Sequence, residues 1–217
     1  MERAMQTSEP GQKRTLRWAR RACATPALVG MTAWAAAGCG AGNTPPPPPI
    51  CDQACMDGVA LRALRLTMKF AFNIALQGND AGPQDATTPC PMAGTARIFG
   101  SATSDAEQGA TTVSLTYVLD GCAYDAPKNA TPERNFQMTL SGAITETGTL
   151  AVQPSSTTAL ILVSPPADAG TSSAMTFAGT VYDPPVDYNE TGCAIHVAQQ
   201  GNDVAGTLCG RQAGFSF

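Results

Sequence analysis

The sequence is poor in the groups from which catalytic and metal sites are most often assembled. It has one histidine, His196, and no Cys-x-x-Cys, His-Glu-x-x-His, nucleophile elbow, phosphate-binding P-loop or dinucleotide fingerprint. A single histidine leaves few ways to build an acid–base relay, and without paired cysteine ligands zinc is not expected. Cations are scarce too. Of 13 Lys and Arg, six precede residue 22, as do two of the 17 Asp and Glu, so beyond residue 38 seven cations face fifteen anions, a net charge of −8. That balance speaks against a nucleic-acid partner. No cofactor and no metal are expected.

What is present begins with Lys13 to Cys39. Five cations, Lys13, Arg14, Arg17, Arg20 and Arg21, precede an apolar run from Ala22 to Trp34 that ends in Ala36, Ala37, Gly38 and Cys39. This is the layout of a secretory leader. Its end resembles a bacterial lipobox, which implies cleavage before Cys39 and acylation of that cysteine. Ala36 stands where a lipobox usually carries leucine, so cleavage within Ala33 to Ala37 and a secreted or periplasmic product is the alternative. Arg20-Arg21 is read as ordinary leader charge, because Cys23 occupies a place where a twin-arginine leader has a bulky apolar residue. The expected organisation is a signal peptide over 1–38, a lipid-anchored proline-rich linker over 39–50 and a single disulfide-bonded β-rich domain over 51–217. Pro45 to Pro49 must adopt polyproline II, a spacer of about 15 Å.

Within the domain, Met56, Val59, Ala60, Ala63, Leu64, Ala71 and Ile74 recur at helical spacing and predict one helix over 52–76. Its polar stripe, Arg62, Arg65, Lys69 and Asn73, is narrow, so such a helix needs cover on more than one side. A core helix against a sheet is expected, and a basic helix lying on a membrane is the alternative. Residues 78–89 read as loop from their Gly, Pro, Asn and Asp content. Beyond them the chain alternates, with strand candidates at 95–103, 111–119, 136–145, 149–152, 158–164, 174–182, 193–199, 204–209 and 213–217. Val113, Leu115, Tyr117 and Leu119 share one face, as do Phe136, Met138, Leu140 and Ile144. Residues 159–163 are apolar on both faces, the pattern of a central strand with the helix behind it. The fold class expected is mainly β: an antiparallel meander of about seven to nine strands, strongly curved or a partial barrel, packed with the one N-terminal helix. A recurring apolar-x-Gly-small-apolar pattern puts Gly100, Gly142, Gly179 and Gly206 on inward faces, where glycine marks a bend or a close approach. Phe215-Ser-Phe217 is similar to the last strand of outer-membrane barrels, but strands of five to nine residues fall short of a span.

Six cysteines remain for disulfides: Cys51, Cys55, Cys90, Cys122, Cys193 and Cys209. A two-residue turn at Gly201-Asn202 would set Ile195 opposite Leu208 and leave Cys193 beside Gly210, on the face opposite Cys209. A bulge would realign that pair, and the bulged register with a Cys193–Cys209 bond is expected. Cys90 with Cys122 and Cys51 with Cys55 follow by elimination, although a helix continuous from Asp52 would hold the last pair badly. His196, between Ile195 and Val197, is expected at the surface. The carboxylates of residues 183–190 lack the spacing of a calcium loop.

The stretch Gly179-Thr-Val-Tyr-Asp-Pro-Pro-Val-Asp-Tyr188, with Gly192-Cys193 and Gly206-Thr-Leu-Cys-Gly-Arg211, resembles the C-terminal part of uncharacterised lipoproteins of myxobacteria and their relatives. The resemblance implies kinship of fold, and Gly40 after the lipidated cysteine implies the outer membrane. The functional expectation is an outer-membrane lipoprotein with a non-catalytic scaffolding or binding role. A carrier of an apolar ligand in a bent-sheet groove is the first alternative and a hydrolase the second. The partners expected are the bilayer, through acylated Cys39, and an envelope protein or an apolar ligand.

Overall fold

The helix begins where a side chain can cap it. In the computed structural model, which describes residues 51–105, 109–126, 135–151, 157–165, 174–182 and 184–217, Asp52 is extended and its carboxylate accepts the Cys55 N–H at 2.9 Å. That satisfies one of the free donors of the first turn and starts α1 (Gln53–Ala75). The leader, Cys39, the proline run and Val152 lie outside the described residues. Because the helix starts after the cap, Cys51 lies off it and reaches Cys55 with Cα atoms 5.2 Å apart. The objection that a helix continuous from Asp52 would strain this pair therefore does not apply.

Ten strands follow: β1 (Gly82–Pro89), β2 (Ala93–Asp105), β3 (Ala110–Asp125), β4 (Phe136–Ala151), β5 (Ala159–Val163), β6 (Met175–Val181), β7 (Val186–Cys193), β8 (Ile195–Gln200), β9 (Asp203–Leu208) and β10 (Arg211–Ser216). All pair antiparallel in one open sheet, in the order β1-β2-β3-β4-β5-β8-β9-β10, with β6 on β4 and β7 on β6. The mainly β class with a single helix stands as expected, and three details differ. β1 occupies a segment whose composition reads as loop; it is an edge strand paired only with β2, where Pro83 and Pro89 need not donate to a second neighbour. The predicted strands over 136–145 and from 149 are one strand that runs to Ala151, because Gly148 stays in the ladder opposite Val113 and Leu160. β7 runs through the segment after the double proline.

β4 is where the meander forks. Its first half, Phe136–Ser141, pairs with β6, and its second half, Thr145–Thr149, pairs with β5. Gly142, at the fork, has φ +119°, and a Cβ there would press on the Ala174 carbonyl and the Met175 main chain. Gly206 has φ +155° and lies so close to β8 that a Cβ would fall on the His196 carbonyl oxygen. Both carry an inward-facing parity, so the repeated glycines are sites of close strand approach.

The sheet curls until both of its ends meet α1, which packs chiefly against β10 and β1. Gly58 and Gly214 let helix and strand touch backbone to backbone: a Cβ on Gly58 would lie 2.9 Å from the Gly214 oxygen. β5 is central, as expected, but the helix is not principally behind it, and Ile161 is half exposed. Val59, Ala60, Leu61, Ala63, Leu64, Met68 and Ala71 are all buried, together with Tyr117, Phe136, Phe177 and most of the inward residues of β2 to β9. β3 and β4, at 16 residues each, exceed the five to nine expected. Length is therefore no argument against a spanning barrel. Thr112, Ser114 and Thr116 on the outer face of β3 are hydroxylic, unlike the apolar band of a lipid-facing strand.

The C-terminal hairpins correct the expected register. Ile195 pairs with Leu208 and Gln200 with Asp203, which is the two-residue turn at Gly201-Asn202, with φ +59° at Gly201. Cys193 and Cys209 are nevertheless bonded, with Cα atoms 4.3 Å apart. The reason is that Cys209 is not a strand residue. It and Gly210 form the two-residue turn between β9 and β10, with φ 51° and 77°, so the left-handed backbone of Cys209 turns its side chain out of the strand alternation toward Cys193. Cys90 and Cys122 pair at 5.3 Å, the latter where the β3–β4 register slips between Leu119 and Cys122. Replacing Cys193 and Cys209 together by serine should lower the unfolding free energy by about 3 kcal/mol on the chain-entropy model. A denaturant titration of the double variant measures it, and an unchanged midpoint would show that the bond constrains nothing.

Candidate functional site

Two polar clusters with buried members flank α1, one near its start and one at its middle. The first is centred on Asp57, which is 1% exposed. Its spacing from Ala60 and Leu64 puts it on the buried stripe. Its Oδ1 accepts from Tyr188 Oη at 2.7 Å and Gln53 Nε2 at 2.9 Å, and Arg211 clasps both oxygens, Nε to Oδ2 and Nη2 to Oδ1, each at 2.8 Å. Arg211 Nη2 also donates to Glu190 at 2.8 Å. Burial pushes the Asp57 carboxyl up, but the bonds from Arg211, Tyr188 and Gln53 outweigh it and hold the group below its ordinary value. Burial, then the bond to Asp57, pushes the Tyr188 hydroxyl well up, and the pairing with Asp57 raises Arg211. Tyr188 and Arg211 belong to the C-terminal stretches that carry the lipoprotein resemblance. Their common partner is a helix residue that no local motif announces.

The Asp57 carboxylate and the Tyr188 hydroxyl are bonded within this cluster, which latches α1 to β7 and β10. Glu190 stands within 4.8 Å of the Cys193 and Cys209 sulfurs, which are joined to each other and offer no thiolate to a metal. Asp187 accepts from Thr180 and is exposed, so it and Glu190 do not converge on an ion. Asp183 lies outside the described residues. His196 is exposed on the outer face of β8, as expected.

The second cluster borders a cavity of about 560 Å³ between the C-terminal half of α1 and the inner face of the sheet. Arg65, 5% exposed, donates from Nη1 to Glu146 Oε1 at 2.8 Å and from Nε to Gln199 Oε1 at 3.0 Å. Gln199 is held in turn by its own bond to the Gly201 carbonyl at 2.8 Å. Burial, reinforced by the adjacent Glu146 carboxylate, pushes the Tyr117 hydroxyl far above its ordinary range, so it stays protonated beside that carboxylate. Met68, Phe72, Leu76 and Leu150 give the cavity apolar wall, while Lys69 and Asn73, both exposed, stand at its mouth. A cavity of this size, part apolar and with a few fixed polar groups, has the character of a small-molecule site.

No family model, no curated protein and no solved structure matches the chain. The site is therefore argued from its own geometry. Of the helix stripe Arg62, Arg65, Lys69 and Asn73, which reads as a solvent or membrane face, Arg65 is buried while Lys69 and Asn73 stay exposed. Arg62 donates to the Ser216 carbonyl at 2.6 Å and lies over the Phe215 ring, and the other three line the cavity. Glu146 lies one step past the predicted strand end at Thr145, in the alternation of Phe136, Met138, Leu140 and Ile144. Carried one step further, that alternation sets Glu146 inside, on the same face.

Proposed function

We propose that this protein is a lipid-anchored envelope protein whose domain over 51–217 binds a small ligand, without catalysing a reaction, in the cavity beside α1. The cavity carries this reading. It is large enough for a lipid-sized molecule, its polar groups are fixed by a buried network, and its mouth opens beside exposed residues of α1. The leader over 1–38, Cys39 and the linker over 39–50 supply the anchor, and Gly40 favours the outer membrane. Binding, rather than scaffolding alone, is favoured because a pure scaffold has no need of an open volume next to a buried ion pair.

Native mass spectrometry of protein extracted from membranes should detect acylation on Cys39 and a retained small molecule that departs on unfolding. A carefully extracted protein carrying only its acyl chains, and binding no member of a lipid library, would defeat the binding reading. The anchor has its own test. Cys39→Ala removes the only thioether site, so the protein should move to the soluble fraction; retention in the membrane as in wild type would overturn the lipoprotein assignment.

A further inference from the structure

The cavity wall has a sign. The chain beyond residue 38 carries a net charge of −8, yet the charged side chains lining the cavity are Arg65, Lys69 and Glu146. Glu146 is already paired with Arg65 at 2.8 Å, so the wall keeps a net positive charge. Arg65 has five N–H donors. Its Nε is spent on Gln199 and its Nη1 on Glu146, with Met68 Sδ 3.9 Å away, while among the described residues Nη2 has no partner. A guanidinium this buried with an unfilled donor edge on a cavity is poised for an acceptor from the ligand. Lys69 follows one helical turn later, at i+4, and among the described residues its ammonium makes no ion pair. Asn73 extends the row by another turn. Phe72 and Leu76, further along the same helix, and Leu150 of β4 add an apolar strip to the lining.

Resting on the binding reading above, we propose that the ligand is a single-chain amphiphile with an anionic head, the head seated on the free edge of Arg65 and on Lys69, and the chain lying along Phe72, Leu76 and Leu150. A carboxylate and a phosphate share this chemistry. A fatty acid and a monoalkyl phosphate are the two sources to be separated, because a guanidinium edge and a lysine suit either head. Arg65 and Lys69 disfavour a cationic head, and the engagement of Glu146 by Arg65 keeps that carboxylate from competing with the ligand for the free Arg65 edge.

The test is a calorimetric titration of the whole mature protein, delipidated, with dodecanoate, dodecyl phosphate and dodecanol. At least one anion should bind about tenfold or more tightly than the alcohol, the factor a charge-assisted hydrogen bond supplies. The tighter of the two anions identifies the head group. Lys69→Gln, on an exposed position that leaves the core intact, should erase most of that preference while dodecanol binding stays as it was. Leu150→Trp, which fills the apolar wall, should weaken all three. Equal binding of anion and alcohol, with Leu150→Trp still weakening both, would overturn the head-group assignment and leave the cavity as the binding site. An anion preference unchanged in Lys69→Gln would also overturn it. No binding of any probe would sink the site itself.

Discussion

Replacing Leu64 by aspartate should unfold the domain. Leu64 is fully buried on the face of α1 that shares its periodicity with Asp57, Ala60 and Ala71. Losing the leucine alone costs about 2–5 kcal/mol through lost transfer energy and the cavity left behind, and a carboxylate there adds the penalty of an unpaired polar group. The sum, of order 5 kcal/mol or more, takes up most of the stability of an ordinary domain. Circular dichroism of Leu64→Asp should show loss of the cooperative thermal transition. A helix that merely rested on a bilayer would tolerate the change in detergent-free solution, so a wild-type melting temperature would refute the core placement of α1.

Asp57→Ala should destabilise by about 3 kcal/mol, the lower end of the range for a broken buried ion pair, because Asp57 is buried but the Arg211 side chain is 37% exposed. It strips Tyr188, which is 2% exposed, of the acceptor for its hydroxyl, and leaves Arg211 with Glu190 alone. The same latch gives a pH dependence of known sign. The folded carboxyl titrates below its ordinary 3.8, so its contribution is complete above that value and is lost as the pH falls through the depressed folded value. Urea midpoints measured from neutral to acid pH should therefore fall more steeply in wild type than in Asp57→Ala. Parallel curves would mean that the latch does not govern acid stability.

The fold class was legible because its signals are local. Alternation along β3, β4 and β8 and the helical spacing of residues 56–74 each follow from a period, and burial obeys it: Val113, Leu115, Tyr117 and Leu119 are inside, and His196 is outside. β1 and β7 were illegible for a physical reason as well. Their Pro, Gly and Asp residues are loop formers by intrinsic preference, and only pairing with β2 and β6 makes them strands. The disulfide register failed on a single residue, since a cysteine with positive φ breaks the parity on which register arguments rest. The site was hardest to see. Arg65 to Glu146, at 81 positions apart, and Arg211 to Asp57, at 154, are pairings for which the chain carries no periodic signal at either end. What local pattern does show is a charged residue in a buried phase. Asp57 falls in phase with Leu64, Arg65 with Leu61 and Met68, and Glu146 with Ile144.

The packing of α1 against β10 sets the order in which this molecule can become itself. The first helix of the domain is completed by its last strand, through Gly58 against Gly214 and Arg62 reaching the Ser216 carbonyl 154 residues away. A chain made amino end first thus leaves the β10 side of α1 uncovered until its final residues are in place. Contacts of such long range fold slowly, because the intervening loop must close before they repay it. The last strand must therefore be in place before α1 is fully covered.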